Sequence, residues 1–122
     1  MLNEKTFLIV DDDDINRRVM KLTLNKLGFY HLTFADSGFL AEKHIREKGN
    51  FFDVIFMDCS MPYQNGYITS RNIRKLGFTK TIIAVTATHT DIRTCKTYGM
   101  DDLIYKPYNK LIIVEKLSYW LA

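Results

Sequence analysis

The sequence predicts an α/β domain in which a five-stranded parallel sheet is covered by helices on both faces. Short apolar runs alternate five times with segments whose apolar residues recur every three or four positions. Strands that alternate with helices in this way indicate βα units and a parallel sheet. The run VIFM at residues 54–57 has no polar break, as expected of a strand buried on both faces. Its end at Asp58 would lie at the carboxyl edge of the sheet, where folds of this class build their sites.

The first strand is predicted at residues 7–10, FLIV, and it ends in the run of aspartates at residues 11–14. A helix follows from about residue 15, with Asp13 or Asp14 as its N-cap and Gly28 as its stop. Its apolar positions recur at helical spacing, and they are Ile15, Val19, Leu22, Met20, Leu24 and Leu27.

The second strand, at residues 31–34, is weaker, and the helix after it begins at Asp36 or Ser37 and runs to about residue 48. Its apolar side carries Phe39, Leu40 and Ile45. The third strand ends at Asp58, and Pro62 marks the loop that follows because proline cannot continue a sheet ladder. After a turn at residues 65–66, a helix at residues 67–76 turns Ile68, Ile73 and Leu76 inward.

The fourth strand, TIIAV at residues 81–85, is rich in β-branched residues and ends at Thr86. A helix at about residues 90–98 leads to a short fifth strand at residues 103–105, which ends at Lys106. The last helix, at about residues 110–121, carries Leu111, Val114, Leu117 and Leu121 on one face.

Composition narrows the functional class. A chain of 122 residues with 47% hydrophobic and 25% charged residues is typical of one soluble globular domain, here residues 1–122. No apolar run approaches the roughly 18 residues that a membrane span needs, and the start lacks the pattern of a signal peptide. We therefore expect a cytoplasmic protein, or the cytoplasmic C-terminal part of a membrane-anchored one, without membrane contact by this segment. The net charge of +3 is scattered along the chain, which argues against nucleic-acid binding.

The polar ends of four predicted strands point to chemistry at one edge of the sheet. Because all strands of a parallel sheet end at the same edge, residues remote in sequence converge there; these residues are Asp11, Asp12, Asp58, Thr86 and Lys106. Neighbouring carboxylates repel and need positive charge. Lys106 supplies one charge, and Mg²⁺, a hard cation that takes oxygen ligands, is the natural second.

Such a set of groups suits phosphoryl transfer onto an aspartate. A carboxylate can attack as a nucleophile without a catalytic base, while a metal and a lysine neutralise the phosphoryl oxygens. His31, His44 and His89 follow no strand end, so we interpret them as surface or packing residues. Cys59 and Cys95 fit no metal spacing, and we expect reduced, buried or partly buried thiols.

Four segments, in this order and spacing, resemble the response-regulator receiver domain of two-component signalling: IVDDDDINRRV, DVIFMDCSMPYQNGY, IIAVTA and GMDDLIYKP. The details DINR, MDCSMP, GMDD and YWL are most similar to receiver domains of hybrid sensor histidine kinases. The resemblance implies a doubly wound, flavodoxin-like (βα)₅ fold with strand order 2-1-3-4-5. It also implies that the partners are a sensor histidine kinase or a histidine phosphotransfer domain, and that the chain catalyses only its own phosphorylation and dephosphorylation.

By the same resemblance, Asp58 would be the phosphoacceptor. Mg²⁺, with Mn²⁺ as a substitute, would be held by Asp12, Asp58 and the backbone carbonyl of Ser60, with Asp11 acting through water. Thr86 and Lys106 would contact the phosphoryl oxygens.

Other positions of the family's motif are assigned to positioning and switching. Pro107 would follow a cis peptide bond that positions the lysine, Ser60 and Thr88 would tune hydrolysis of the aspartyl phosphate, and Ala87 lies between the switch threonine and Thr88. The family's moving aromatic, three residues before the lysine, is replaced here by Leu103. Tyr105 shares a strand face with Leu103 and could partly replace that aromatic, so we hypothesise an altered or weak output switch.

Two alternatives stay open. In a phosphatase of the haloacid-dehalogenase type, Asp11-x-Asp13 would be the nucleophile motif, although the chain is short for that fold and Asp58 would have no role. A pseudo-receiver would keep the fold as a binding module without being phosphorylated. For Asp13 and Asp14 we favour helix capping.

Overall fold

Five parallel strands form one sheet in the order β2-β1-β3-β4-β5 in a computed structural model of the chain, which describes residues 4–122. The strands are β1 (Thr6–Val10), β2 (His31–Ala35), β3 (Val54–Asp58), β4 (Thr81–Thr86) and β5 (Asp102–Tyr105). The predicted class and the strand order implied by the resemblance are both confirmed. Residues 1–3 of the predicted domain lie outside the described residues.

The helices alternate with the strands as predicted, with boundaries that shift by one or two residues. They are α1 (Asp14–Lys26), α2 (Gly38–Lys48), α3 (Gly66–Lys75), α4 (Ile92–Thr97) and α5 (Lys110–Trp120). Short polar side chains cap them, as expected of residues that satisfy free amides in the first turn: the caps are Asp13, Ser37, Asn65, Asp91 and Asn109. The predicted turn at residues 65–66 is therefore the start of α3, with Asn65 as cap and Gly66 as first helical residue.

Two apolar layers hold the helices against the sheet. One layer joins alternate strand residues such as Leu8 and Ile55 to α2, α3 and α4. The other joins their neighbours, such as Phe7 and Phe56, to α1 and α5. Because successive side chains of a strand point to opposite faces, β1 and β3 serve both layers, and every residue of β3 is buried.

Not all of the apolar positions that recur along the helices are buried, and the inward face predicted for α3 is wrong in part. In α1, Met20 and Leu24 are buried, but three other apolar residues at helical spacing are exposed: Ile15 (67%), Val19 (43%) and Leu22 (60%). In α5, Ile113 and Leu117 are buried, whereas Leu111 (72%) and Val114 (38%) face solvent. Ile45 of α2 and Ile73 of α3 are buried, whereas Phe39 of α2, Ile68 of α3 and Leu76, the C-cap of α3, are exposed. The sheet covers only one narrow stripe of each helix, and apolar spacing alone does not say which stripe.

The strand order places a crevice at the carboxyl ends of β1 and β3. The chain order reverses between these two adjacent strands, and open α/β sheets form their sites at such a reversal. Gly66 allows α3 to begin close to the crevice, because a Cβ at this position would lie 2.0 Å from the carbonyl oxygen of Asp58. Within residues 4–122, no helix is both long and apolar enough to cross a membrane.

Candidate functional site

Three aspartates meet at the crevice between β1 and β3. Asp11 directly follows β1, Asp58 is the last residue of β3, and the two strands pair with Val10 opposite Met57. Asp12 is exposed, whereas Asp11 and Asp58 keep only 6% and 5% of their accessible surface. Each residue contributes a carboxylate oxygen, and these three oxygens all lie within 4.8 Å of one another. The structure thus brings together the three acidic residues that the sequence predicted at this edge.

Lys106 is the cation in direct contact with this cluster. Its Nζ lies 3.0 Å from Oδ2 of Asp11 and 3.5 Å from Oδ1 of Asp58. The residue follows β5, its backbone N–H donates to the carbonyl oxygen of Thr86 at 2.8 Å, and its bond to Pro107 is cis. One lysine therefore serves two nearly buried carboxylates, which leaves the cluster with excess negative charge.

The electrostatics of Asp58 reflect this imbalance. Burial, reinforced by the charge of Asp11, raises the pKa of Asp58 to about 6, although Lys106 and a hydrogen bond from the Ser60 N–H act in the opposite direction. Burial works against the charged form of Lys106, but its hydrogen bond to Asp11 and the charges of both carboxylates raise its pKa overall. The site is therefore charged near neutral pH, but at an energetic cost that a further cation would relieve.

Asp13 and Asp14 belong to the helix and lie outside the carboxylate cluster. Oδ1 of Asp13 accepts the N–H of Ile15 at 2.8 Å and caps α1. Asp14 pairs with Arg18 at 3.0 Å on the exposed side of α1. The capping interpretation of Asp13 is confirmed, and its occupied carboxylate gives no support to an Asp11-x-Asp13 nucleophile motif.

The hydroxyl predicted at the end of β4 is present and already bonded. Thr86 is fully buried; its Oγ1 accepts the N–H of Thr88 at 3.1 Å and lies 2.9 Å from the hydroxyl oxygen of Thr88. Ala87 lines the cleft above Asp58, and the Ser60 N–H donates to Oδ1 of Asp58 at 3.3 Å. Residues of the β4–α4 loop and of the start of the β3–α3 loop thus lie close to the proposed site.

Leu103 and Tyr105 lie on the same side of β5, as their spacing predicted. Leu103 is half-buried against the core layer formed with α2, α3 and α4. Tyr105 is 51% exposed, and its hydroxyl donates to the carbonyl oxygen of Thr90 at 2.5 Å. The Tyr105 hydroxyl thus links the end of β5 to the β4–α4 loop. Leu103, on the same side of the strand, has no polar group that could make such a hydrogen bond.

A cleft of about 310 Å³ leads from the surface to Asp58. Apart from Asp11, Asp58, Lys106 and Asn16, its walls are mainly apolar and include Val19 and Met20 of α1, Phe56, Val85, Ala87, Pro107 and Tyr108. Burial, together with the charge of Asp11, raises the pKa of Tyr108 to about 12. The phenol therefore stays neutral and donates to the sulfur of Met20 at 3.7 Å. The cleft has an apolar entrance and charged residues at its bottom. This arrangement suits a partner whose contact surface is apolar and carries one reactive polar group.

The histidines and cysteines take the structural places expected of them. His31 and His89 are exposed, and His44 packs edge-on against Phe52. Both cysteines are buried free thiols, and burial raises the pKa of Cys59 to about 11. Neither type of residue belongs to the described carboxylate cluster.

Two supporting residues escaped the sequence analysis. The Arg17 guanidinium donates to the backbone oxygen of Asp11 at 2.7 Å, and no spacing rule links a helical arginine to a loop carbonyl. Arg74 donates to the carbonyl oxygens of Gly99, Phe78 and Lys80 and pairs with Asp101 at 2.9 Å. Asp101 also accepts the N–H of Ile82, so Arg74 fixes the start of β4 beside the turn into β5.

A family model for the response regulator receiver domain matches residues 7–118. Two-component system protein A of Emericella nidulans is 36% identical over 120 residues, which cover 97% of this chain and 18% of that protein. Two-component response regulator ORR41 of Oryza sativa subsp. japonica is 34% identical over 118 residues, covering 94% of this chain and 90% of that protein. Hybrid signal transduction histidine kinases of Dictyostelium discoideum are also among the relatives.

A solved structure shows the same similarity in three dimensions. The receiver domain of sensor histidine kinase PA1611 from Pseudomonas aeruginosa has a magnesium ion coordinated in its active site cleft; it matches with a TM-score of 0.84 and 30% sequence identity. The match covers 96% of this chain and 97% of that chain. By contrast, the chain spans less than a fifth of the length of several relatives, at 18% and 11% in two of them.

Proposed function

Because the chain belongs to the response regulator receiver domain family, and is thus a receiver domain of two-component phosphorelay systems, we propose that Asp58 is its phosphoacceptor. The carboxylate of Asp58 would attack the phosphoryl group of a phosphohistidine, forming the aspartyl phosphate as the bond from phosphorus to the imidazole nitrogen breaks. The observation that carries this proposal is the convergence of Asp11, Asp12 and Asp58 around Lys106 at the mouth of one cleft. Asp58 lies at the base of that cleft, at the end of a strand that is otherwise buried.

The same residues would hold Mg²⁺, with Mn²⁺ as a substitute. The proposed ligands are all oxygen atoms, as Mg²⁺ requires. They come from Asp11, Asp12, Asp58 and the backbone carbonyl of Ser60. Lys106 pairs with two of the three carboxylates, those of Asp11 and Asp58, so a divalent cation would relieve the repulsion that remains. When bound, Mg²⁺ would neutralise the negative charge on the phosphoryl oxygens.

The chain's own residues would orient the phosphoryl group. Lys106 already lies 3.5 Å from Asp58 and would pair with a phosphoryl oxygen. Thr86 would turn its hydroxyl from Thr88 toward the phosphoryl group, a change that would break the 2.9 Å contact between the two hydroxyl oxygens. Ser60 and Thr88 flank the group and would set how readily water reaches it.

The readout of phosphorylation would run through the β4–α4 loop. A rearrangement of Thr86 and Thr88 would move that loop, and the Tyr105 hydroxyl holds it at Thr90. With Leu103 packed against the core, the aromatic contact available to follow the loop is Tyr105. We infer an output switch that is altered or weak, and nuclear magnetic resonance spectra with and without beryllofluoride test it. Large shifts throughout α4 and β5 would contradict a weak switch.

The donor of the phosphoryl group would be a sensor histidine kinase or a histidine phosphotransfer domain that docks over the cleft. Ile15, Val19 and Leu22 form an exposed apolar stripe on α1, since residues four and three positions apart share a helix face. Val19 also lines the cleft, so the stripe reaches its mouth. An apolar donor surface packed there would bring its histidine to Asp58.

Labelling by acetyl phosphate tests the proposed function directly. Wild type should acquire one stable phosphoryl group in the presence of millimolar Mg²⁺, and both Asp58→Asn and removal of Mg²⁺ by EDTA should abolish it. Asp13→Asn is the matched control, because Asp13 caps α1 outside the carboxylate cluster. Persistent labelling of Asp58→Asn would refute the assignment.

The same samples separate the two alternatives. Failure of wild type to be labelled by any donor would favour a pseudo-receiver that acts as a binding module. Turnover of p-nitrophenyl phosphate, lost in Asp13→Asn, would favour a phosphatase of the haloacid-dehalogenase type. A rise of the thermal midpoint with millimolar Mg²⁺ is expected only if the native state holds the ion.

A further inference from the structure

Tyr63, in the loop between β3 and α3, combines an unusual backbone with an unused side chain. Its φ of 68° is the only positive value at a non-glycine residue within residues 4–122. Its side chain is 99% exposed. Bulky side chains rarely adopt left-handed backbone, because Cβ crowds the following carbonyl group.

A tight turn produces this conformation. The N–H of Gln64 donates to the carbonyl oxygen of Pro62 at 2.7 Å, which closes a three-residue turn around Tyr63. With positive φ at its central residue, this is the rare and strained form of the γ-turn. The turn lies in the loop that directly follows Asp58, and this loop closes next to Asp58 because the N–H of Gly66 donates to the carbonyl oxygen of Cys59 at 3.0 Å.

Neighbouring contacts hold the turn in place from both sides. Before the turn, the ring of Pro62 fixes its own φ. After the turn, the Gln64 side-chain amide donates to Oε2 of Glu42 at 2.5 Å and to Oγ1 of Thr69 at 2.9 Å. Asn65 caps α3 by accepting the N–H of Ile68 at 3.0 Å. The surroundings thus impose the backbone at residue 63 and present its side chain in one direction.

The ring itself contributes nothing to this arrangement. Within the described residues, the Tyr63 side chain makes no hydrogen bond, ion pair or ring contact, in keeping with its near-complete exposure. Glycine or asparagine would suit the backbone better. Neither local structure nor packing therefore accounts for a tyrosine at this position, and strained residues that the surroundings enforce tend to mark functional sites.

We propose that Tyr63 is a specificity-determining contact for the protein that donates the phosphoryl group. The proposal rests on the proposed function: Asp58 is only 5% exposed, so a donor histidine can reach it only if the donor surface covers the loops around the cleft. An aromatic ring with a polar hydroxyl, held on a rigid turn, gives large contact area at small entropic cost. Acetyl phosphate is too small to need such a contact.

Phosphotransfer from a protein and from a small molecule separates this role from a structural one. The probes are acetyl phosphate and, from a panel of phosphorylated histidine phosphotransfer domains, the member that transfers fastest to wild type. Tyr63→Ala should lower kcat/KM for that protein donor by about tenfold or more, the size expected of an aromatic interface residue. Its rate of labelling by acetyl phosphate should stay within about twofold of wild type. Tyr63→Phe, which keeps the ring, should recover most of the protein-donor rate.

Two further variants control for exposure and for strain. Tyr30→Ala removes another exposed tyrosine, 66% accessible, which precedes β2 and so lies at the opposite edge of the sheet; it should transfer like wild type. Tyr63→Gly relieves the left-handed strain, so its thermal midpoint should equal or exceed that of wild type while its protein-donor rate falls as in Tyr63→Ala. A fold defect would instead lower both quantities.

The outcomes for this inference and for the proposed function are distinct. Normal transfer from the protein donor to Tyr63→Ala would overturn the role of Tyr63 and leave Asp58 as phosphoacceptor. Equal losses with both donors would overturn it as well, because they would indicate a disturbed active site. A wild-type chain labelled by acetyl phosphate but by no member of the panel would overturn it too, whereas failure of wild type to be labelled at all would refute the proposed function.

Discussion

Replacing Asp58 by asparagine tests the electrostatics of the site in the absence of any phosphoryl group. The perturbation keeps the shape of the side chain and removes its charge. Burial and the neighbouring Asp11 disfavour that charge, and together they raise the pKa of Asp58 from 3.8 to about 6. In metal-free protein near neutral pH, Asp58→Asn should therefore be more stable than wild type, although the substitution removes a proposed catalytic residue.

The magnitude follows from the pKa shift. A rise of about two units corresponds to about 3 kcal/mol of unfavourable interaction with the charged form, at roughly 1.4 kcal/mol per unit. That rise is already the net of burial and Asp11, which raise the pKa, and of Lys106 and the Ser60 N–H, which lower it. The expected gain is therefore about 3 kcal/mol, or roughly 12 °C in thermal midpoint for a domain of this size.

The pH dependence of the stability difference shows whether the charge of Asp58 stabilises or destabilises the fold. The folded state binds a proton at Asp58 with a pKa of about 6, while the unfolded chain has the ordinary value of 3.8. Above about pH 7, Asp58 is ionised in both the folded and the unfolded protein, so wild type carries the full cost of the buried charge. Acidification through pH 6 protonates Asp58 in the folded protein first, and this removes the cost. The stability difference between Asp58→Asn and wild type should therefore be largest near pH 7.5 and shrink to about 1 kcal/mol or less near pH 4.

Urea denaturation of both proteins with EDTA present measures this difference at each pH. Asp53→Asn is the control, because its effect on stability should have the opposite sign. Burial raises the pKa of Asp53, but hydrogen bonds from Thr6 and Lys80 outweigh burial, so the pKa is lowered overall. This variant should be less stable than wild type near neutral pH. An Asp58→Asn protein that is less stable than wild type at pH 7.5, or whose advantage does not change with pH, would refute the reasoning.

Three further predictions concern the framework of the site. Gly66→Ala should destabilise the fold by about 3 kcal/mol in urea denaturation, because the new Cβ would lie 2.0 Å from the carbonyl oxygen of Asp58; a loss below about 1 kcal/mol would mean that the loop can yield. Burial raises the pKa of Cys59 to about 11, so iodoacetamide at pH 7.5 should modify native Cys59 at least about 100-fold more slowly than in urea, as peptide mass spectrometry would show. Tyr105→Phe removes the hydrogen bond to the Thr90 carbonyl, so amide exchange in the β4–α4 loop should accelerate about fivefold or more; unchanged exchange would mean that the hydroxyl does not hold the loop.

The sequence predicted the strands more accurately than the helices, for a physical reason. A central parallel strand is buried on both faces, so a continuous apolar run such as residues 54–57 has few other interpretations. The ends of such strands were then enough to bring Asp11, Asp58 and Lys106 together, because the topology aligns all carboxyl ends. Contacts between side chain and backbone carry no such pattern. The bonds from Arg17 to the carbonyl of Asp11 and from Gln64 to Glu42 therefore required the structure.

The exposed apolar residues of α1 point to function. Ile15, Val19 and Leu22 recur at core-like spacing, yet they are 67%, 43% and 60% exposed, while Met20 and Leu24 fill the core. An amphipathic helix needs one apolar stripe to pack on a sheet, so a second stripe on the solvent side has no role in folding. Periodicity cannot distinguish a stripe that packs on the sheet from one that packs on a partner, since both are apolar for the same reason.

Tyr63, in the β3–α3 loop, is a second residue that folding alone does not explain. Its side chain opposes the backbone that the turn requires, and its ring gains no packing in return. Sequences tend to violate local rules where another requirement competes with folding. Val19 lines the cleft to Asp58, and Tyr63 lies in the loop that directly follows Asp58. If both serve docking, combining Tyr63→Ala with Val19→Ala should reduce transfer from a protein donor by about the product of the two single effects, as for separate contacts on one interface. Labelling by acetyl phosphate should then stay near wild type even in the double variant, and a collapse of both rates would instead assign Val19 to the integrity of the cleft.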